Sequence, residues 1–186
     1  ANFHKKPTEG LPPGGFHDTV RGVRPGALSP HVNLKGELIV SFSFHVPTNF
    51  VFGQGAIQKL HKQRLPGKKA LIVISAGKST RANGYLDIVQ DELTQAGVAY
   101  AVFDKILANP VLDNVMDGAE FARAEGCDFV VGLGGGSSID AAKAIAMMVP
   151  NEGNYWDYIY GGTGGGQRMK NKPLTIVASP NTAGTG

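Results

Sequence analysis

The stretch that decides the fold is VVGLGGGSSIDAAKA, which runs from Val130 to Ala144. A short apolar run stops on three consecutive glycines, and an alanine-rich pattern typical of a helix begins at the serines. Glycine allows positive φ and a close approach of the backbone to an anion, and a helix N-terminus offers free N–H groups and a positive dipole end. We therefore predict a strand, a glycine loop and a helix whose N-terminus binds a pyrophosphate.

The glycine loop has a second interpretation, a tight turn with an N-cap. Ser137 and Asp140 have the Ser-x-x-Asp spacing of a capping box, so Asp140 is also a candidate helix-end residue. The loop lacks the third glycine of G-x-G-x-x-G, and it follows the third predicted parallel strand rather than the first. This difference disfavours a standard Rossmann domain.

Strand and helix patterns alternate on both sides of this loop. Short apolar or alternating runs predict six strands, at residues 41–45, 49–52, 68–75, 98–104, 127–133 and 173–179. Helical spacing predicts four helices, at residues 55–65, 84–97, 112–126 and 138–149, with Gly97 and Gly126 ending the second and third. The alternation predicts an α/β fold, a doubly wound domain with a mostly parallel sheet. Such sheets bind ligands at the carboxyl ends of their strands.

Composition and charge exclude several classes of function. The 186 residues are 42% hydrophobic and 18% charged, with a net charge of +3, which is ordinary for a globular protein. The cationic residues form no aromatic-basic stripe and no apolar run approaches the ~18 residues of a membrane span, so we expect no nucleic-acid partner and no membrane. The single cysteine, Cys127, favours a reducing, cytoplasmic location, and we expect it to be a buried structural thiol.

The chain is predicted to hold one folded domain after an irregular start. Residues 1–38 are rich in proline and glycine without sustained periodicity, and we interpret them as an N-terminal extension with no assigned function. Residues 39–186 form the predicted dinucleotide-binding α/β domain. Its end inside the TAGTG run indicates a chain cut short within a site.

The loop that follows residue 74, SAGKST, contains small and cationic residues. Dinucleotide-binding domains often place an acidic side chain after the second strand to hold the adenosine 2′-hydroxyl. This region has no acid and offers instead Ser75, Gly77, Lys78, Ser79 and Arg81. Because small and cationic groups tolerate or attract a 2′-phosphate, we predict NADP, or both NADP and NAD, as the cofactor; the alternative is a solvated loop.

Two further loops are predicted to reach the same edge of the sheet. Asn109 precedes Pro110 at a helix entry, where it either fixes that entry or contacts a ribose or phosphate. In the last loop, SPNTAGTG, the side chains of Asn181, Thr182 and Thr185 supply hydrogen-bond donors. We expect this loop to lie beside the glycine loop, because parallel strands end at one edge.

Five stretches occur together in one order: HVPTNFVFGQGAIQKL, ALIVISAGKS, NPVLDNV, DFVVGLGGGSSIDAAKAIA and SPNTAGTG. Over residues 44–186 they resemble the N-terminal half of the iron-containing (group III) alcohol dehydrogenases, whose superfamily includes glycerol dehydrogenase and dehydroquinate synthase. The GGGSxxD and TAGTG runs are specific in combination, whereas either alone would be weak. The resemblance implies a dinucleotide-binding α/β domain followed by a helical domain that holds a divalent metal.

The resemblance also implies roles for individual residues. The family's pyrophosphate-binding loop matches this chain at Gly135, Gly136, Ser137 and Asp140, and the same run contains Ser138. Asn109 matches a nucleotide-contacting asparagine, and Thr182 and Thr185 match threonines near the nicotinamide. Asn181 departs from the pattern, because family members often have threonine there.

The function that the resemblance implies is that of a NAD(P)-dependent, metal-dependent alcohol dehydrogenase. Such an enzyme interconverts a primary or secondary alcohol and its aldehyde or ketone by transferring a hydride to or from the nicotinamide. The family's metal ligands for Fe²⁺ or Zn²⁺, an aspartate and histidines, match no residue before Gly186, so we expect these 186 residues to be inactive alone. The expected partners are a small-molecule alcohol or aldehyde and, in a homo-oligomer, further copies of the chain. Two alternatives stay open: a non-catalytic nucleotide-binding module, and a lyase or polyol dehydrogenase of related fold.

Overall fold

The fold is known from a computed structural model. It describes two short strands, His31–Val32 and Leu38–Ile39, and residues 45–109 and 111–182. The chain divides into two units at residues 49 and 50. Strands β1, His31–Val32, and β2, Leu38–Ile39, pair antiparallel in the first unit.

The second unit contains a four-stranded parallel sheet with helices between its strands. The strands are β3 (Lys69–Ser75), β4 (Ala99–Ile106), β5 (Phe129–Gly134) and β6 (Thr175–Pro180), and their order in the sheet is β4-β3-β5-β6. The α-helices are α1 (Ser79–Ala82), α2 (Tyr85–Gln95), α3 (Leu112–Ala124) and α4 (Gly136–Met148), with 3₁₀ helices at Ala56–Lys62 and Tyr155–Tyr158. The predicted α/β fold with a parallel sheet is confirmed.

Helices cover both faces of the sheet, as the doubly wound prediction requires. Leu71 and Val73 of β3 pack on one face with residues of α3 and α4. Ile72 and Ile74 of the same strand pack on the other face with residues of α2 and of the first 3₁₀ helix. Because both faces of β3 and β5 are buried, these strands have the continuous apolar runs seen in the sequence.

The predicted strand at residues 49–52 is wrong. These four residues form no strand and are exposed, with Phe50 78% exposed and Phe52 fully so. Their β-branched and aromatic side chains favour a strand, but a strand requires a hydrogen-bonded neighbour, and none of the described strands pairs with them. Of the other predicted short strand, residues 41–44 lie outside the described residues, and His45 has no regular structure.

The two glycines predicted to end helices do so in the left-handed conformation. Gly97 has φ of 70° just beyond α2, and Gly126 has φ of 66° just beyond α3. Side chains with a Cβ rarely adopt this conformation, so glycine ends both helices at low cost. The sequence did not predict α1, which has only four residues.

A histidine–carboxylate pair joins the first 3₁₀ helix to α2. The carboxylate of Glu92, which is buried, accepts hydrogen bonds from the His61 backbone N–H at 2.9 Å and from its Nδ1 at 2.6 Å. Burial raises the pKa of the Glu92 carboxyl, but the hydrogen bonds from His61 and the Leu60 backbone outweigh that effect and leave the pKa below its usual 4.5. The two residues are 31 positions apart, and no sequence pattern connected them.

The close approach of α4 to β5 requires glycine at position 132. A Cβ on Gly132 would lie 3.0 Å from the Cβ of Ala142 and 3.3 Å from the Cα of Ile139, both on α4. Because Ile139 offers its backbone there, no side-chain rotation relieves the contact. The absence of a side chain at Gly132 therefore sets the distance between β5 and the helix that begins at the glycine loop.

Replacing Gly132 by alanine should destabilise the protein by about 1–3 kcal/mol, because α4 must shift away from the sheet. Urea unfolding followed by circular dichroism measures the change. Gly136→Ala is the matched control, since a Cβ there meets nothing within 4 Å, and its stability should not fall. Equal stabilities for Gly132→Ala and the parent would contradict the role assigned to Gly132.

Candidate functional site

The carboxyl ends of the four parallel strands lie along one edge of the sheet. In the strand register, Ser75 pairs with Ile106 at the ends of β3 and β4. Gly134 pairs with Pro180 at the ends of β5 and β6. The loops that follow these residues are those in which the sequence predicted ligand contacts, and α/β sheets bind ligands at this edge.

The glycine loop forms the junction between β5 and α4. Gly134 ends the strand with φ of 138°, Gly135 is the extended N-cap residue, and α4 begins at Gly136 and runs for 13 residues. A Cβ on Gly136 would meet nothing within 4 Å, so the start of the helix is open to a ligand. The first N–H groups of a helix have no carbonyl partner four residues back, and they are therefore available to an anion.

The capping-box interpretation of this loop is wrong. The N-cap is Gly135, and no side chain bonds to the free N–H groups of α4 there. The exposed Asp140 carboxylate instead accepts a hydrogen bond from Nζ of Lys143 at 2.9 Å, one turn along the helix. The helix begins two residues earlier than the spacing implied, which moves Ser137 from the N-cap into the first turn.

Threonine 182 lies beside the glycine loop, as the sequence predicted for the last loop. Its Oγ1 is 3.4 Å from the position that a Cβ on Gly135 would occupy. The backbone N–H of Asn181 donates to the Gly134 carbonyl at 3.1 Å, which holds the end of β6 against the loop. Thr185, the other predicted threonine, lies outside the described residues.

Two buried side chains that carry hydroxyl groups lie close to Gly134. Around the position of a Cβ on Gly134, Ser138 Oγ lies 2.9 Å away and Thr80 Oγ1 3.9 Å away. Both residues are buried, Ser138 in α4 and Thr80 in α1. Thr80 was not among the predicted site residues; its only sequence signal is its place in the SAGKST loop.

Asn109 does not form the helix entry predicted for it. Helix α3 begins at Leu112, and its N-cap is Val111 in an extended conformation. Asn109 is exposed with φ of 59°, a left-handed conformation that asparagine tolerates better than most residues. Pro110 lies outside the described residues. A nucleotide contact by Asn109 stays a prediction.

A cleft of about 450 Å³ opens beside the end of β3, and we call it the β3 cleft. Its lining residues come from the end of β3, the loop after it, helix α1 and strand β4: Ser75, Ala76, Gly77, Lys78, Arg81, Ala82 and Asp104. Four of the five residues predicted in this region line it, whereas Ser79 begins α1 outside that lining. The cleft carries two cationic side chains and one anionic side chain.

The sequence interpretation of the β3 cleft missed an acid. Asp104 comes from the neighbouring strand β4, and its Oδ2 lies 2.6 Å from Nη2 of Arg81. The SAGKST loop itself has no acid, as noted, but the parallel pairing of β3 with β4 brings one to the same cleft. Asp104 and Arg81 are each about half exposed, at 47% and 50% of their side-chain surface.

The single cysteine is a structural thiol, as predicted. Cys127 is 6% exposed in the core next to α3 and α4. Burial raises the pKa of its thiol from 9.0 to about 11, and the nearby carboxylates of Glu125 and Asp128 act in the same direction against Lys69. A neutral, buried thiol is a poor nucleophile.

Two searches of the described residues bear on metals and membranes. Across residues 45–109 and 111–182, no three histidine, cysteine, aspartate or glutamate side chains group as metal ligands would. Among the helices that the structure describes, none combines the length and the apolar character needed to cross a bilayer.

The fold and sequence match known proteins. The model of the family "Iron-containing alcohol dehydrogenase" matches residues 47–186. The 1,3-propanediol dehydrogenase of Citrobacter freundii is 37% identical over 146 residues, which are 77% of this chain and 36% of that protein. The NAD-dependent methanol dehydrogenase of Bacillus methanolicus is 35% identical over 147 residues, again 77% of this chain and 36% of that protein.

The solved structures agree with the sequence comparison. The crystal structure of NADH-dependent butanol dehydrogenase A from Thermotoga maritima matches with a TM-score of 0.66 and 35% identity, over 74% of this chain and 34% of that one. This chain thus spans about a third of the length of the relatives that it matches.

The raised pKa of Cys127 predicts slow modification in the folded state. At pH 8 the thiolate fraction should be about 100-fold lower than in the unfolded chain, because the two pKa values differ by about 2 units. The folded state favours the neutral thiol, so the associated stability is present below pH 9.0 and is lost as the pH rises through about 11. Alkylation rates with and without urea test this; a rapid folded-state reaction with a midpoint below pH 9 would contradict it.

Proposed function

Because this chain belongs to the iron-containing alcohol dehydrogenase family, we propose that it is the cofactor-binding part of a NAD(P)-dependent alcohol dehydrogenase. The observation that carries the proposal is the open junction between β5 and α4, where Gly135 and Gly136 expose backbone N–H groups. The family is one of oxidoreductases, and the named relatives are dehydrogenases of small alcohols. We therefore infer a small alcohol or its aldehyde as the substrate class.

The residues at the sheet edge fit a dinucleotide. A Cβ at Gly136 would occupy the space at the start of α4 where a pyrophosphate approaches the N–H groups, and glycine leaves that space free. Thr182, 3.4 Å from the Cβ position of Gly135, places a hydroxyl at the end of the same anion site. The β3 cleft with Lys78 and Arg81 is suited to the adenosine ribose and its 2′-substituent.

The reaction takes a hydride from the alcohol carbon and releases a proton, so that alcohol becomes aldehyde or ketone as the cofactor is reduced. The nicotinamide of the bound cofactor supplies the hydride acceptor. The contribution of this chain is to bind and orient the cofactor: the N-terminus of α4 holds the pyrophosphate, and Thr182 adds a donor near it. The described residues do not group as metal ligands, so we derive no step through a metal.

The cofactor preference is part of this proposal. The relatives from Bacillus methanolicus and Thermotoga maritima are named for NAD and NADH. Lys78 and Arg81 in the β3 cleft give this chain two cations with which a 2′-phosphate can interact, whereas a neutral 2′-hydroxyl needs neither. We infer that NAD and NADP are both accepted.

Gly136→Val should abolish cofactor binding by this chain. The valine side chain fills the space in front of the N–H groups of α4, so the dissociation constants for NAD⁺ and NADP⁺ should rise by about 100-fold or more. Isothermal titration calorimetry measures both. Gly136→Ala is the matched smaller variant and should weaken binding less, and unfolding curves check that both variants fold. Parent-like affinity in Gly136→Val would place the pyrophosphate elsewhere.

Alcohol oxidation should require more than these 186 residues. We expect residues 1–186 to form no NAD(P)H from alcohols, whether Fe²⁺ or Zn²⁺ is added. These residues supply the proposed cofactor site, and the described ones contain no group of metal ligands. The protein expressed with any sequence that follows Gly186 in its gene should oxidise short-chain alcohols. Absorbance at 340 nm reports both reactions, and turnover by the 186 residues alone would refute this division of roles.

A further inference from the structure

Two of the residues that line the β3 cleft, one cationic and one anionic, form an ion pair. Arg81, on α1, is held by Asp104, on β4, with 2.6 Å between Nη2 and Oδ2. The pair joins α1 to β4, and its two residues are 23 positions apart in the chain. The guanidinium of Arg81 therefore already has an anionic partner, the Asp104 carboxylate. The other cation of the cleft, Lys78, lies in the loop after β3.

The position of Asp104 is set by an irregularity in the sheet. β3 and β4 pair residue for residue up to Val73 with Phe103, and then Ser75 pairs with Ile106, so β4 has one extra residue in between. Asp104 lies in this interruption, between the buried side chains of Phe103 and Ile106. Such irregularities redirect side chains next to functional sites, and here the carboxylate lines the cleft.

We propose that Asp104 is a positioning residue that sets the preference between NAD and NADP through Arg81. The inference rests on the proposed function, since it concerns the 2′-substituent of the cofactor. A 2′-phosphate would accept two parallel hydrogen bonds from the Arg81 guanidinium. To do so it must displace the Asp104 carboxylate from Arg81, and it then stays close to that carboxylate, which has the same sign of charge. A 2′-hydroxyl makes no such demand, and the pair stays intact when NAD binds.

The half-exposed setting of the pair makes this exchange feasible. Exposed ion pairs contribute little to stability, because water screens the charges and both side chains lose freedom. A phosphate monoester carries more charge than a carboxylate and presents three acceptor oxygens, so it can displace Asp104 from Arg81. Asp104 therefore lowers the affinity for NADP without excluding it.

Calorimetric titration of the 186-residue chain with NAD⁺ and with NADP⁺ tests the proposal in five variants and the parent. Asp104→Asn frees Arg81 and should tighten NADP⁺ binding about fivefold to tenfold, while NAD⁺ binding changes less than about twofold. Asp104→Glu keeps a carboxylate for Arg81 and should restore a ratio of affinities close to that of the parent. Asp117→Asn, which removes an exposed acid on α3, controls for net charge and should change neither affinity.

The last two variants, Arg81→Gln alone and Arg81→Gln combined with Asp104→Asn, test the link through Arg81. Compared with Arg81→Gln alone, the added Asp104→Asn should change NADP⁺ binding less than about twofold. An unchanged ratio of affinities in Asp104→Asn would overturn the proposal, and so would a full gain in the Arg81→Gln background. If the parent chain binds neither dinucleotide, the proposed function fails and this inference fails with it, whereas the first two results overturn the inference alone.

Discussion

The whole arrangement depends on the close contact between β5 and α4. Gly132 lets the backbone of α4 lie against the strand, with the Ile139 Cα 3.3 Å from where a side chain would begin. Three residues later, Gly135 and Gly136 turn the chain from strand into helix without any side chain in the opening. The same run of glycines thus brings the helix against the sheet and exposes its N-terminus at the sheet edge. The close packing and the open start of α4 share one cause, the absence of Cβ atoms.

The rest of the sheet brings further groups to that opening. β6 pairs along the whole length of β5, and the bond from the Asn181 N–H to the Gly134 carbonyl holds Thr182 beside the glycine loop. On the other side, β3 and β4 end at the β3 cleft, where Lys78, Arg81 and Asp104 meet. One edge therefore holds the open N-terminus of α4 and a cleft with side-chain charges. This arrangement supports the proposed binding of a dinucleotide, since NAD and NADP share the pyrophosphate and differ only in the 2′-substituent of the adenosine ribose.

The sequence predicted the parts of this structure that depend on local pattern. The apolar runs of β3 and β5 and the glycine stops at Gly97 and Gly126 follow from burial on two faces and from left-handed φ, so they could be derived without coordinates. What could not be derived depends on pairing between distant segments. Asp104 joins Arg81 because two strands are neighbours, and the sequence around either residue shows no sign of it. The strand expected at residues 49–52 failed for the same reason, because propensity does not supply a pairing partner.

A backbone measurement at the glycine loop can show whether this loop binds the phosphates of the cofactor. In ¹⁵N-labelled protein titrated with NADP⁺, the amide signals of Gly135, Gly136 and Ser137 should show the largest shift changes. Those at the end of α3, which leads into the start of β5 at the opposite edge of the sheet, should not move. Saturating binding in which these three amides stay unchanged while signals elsewhere shift would contradict the account, because the phosphates would then be bound by another part of the molecule.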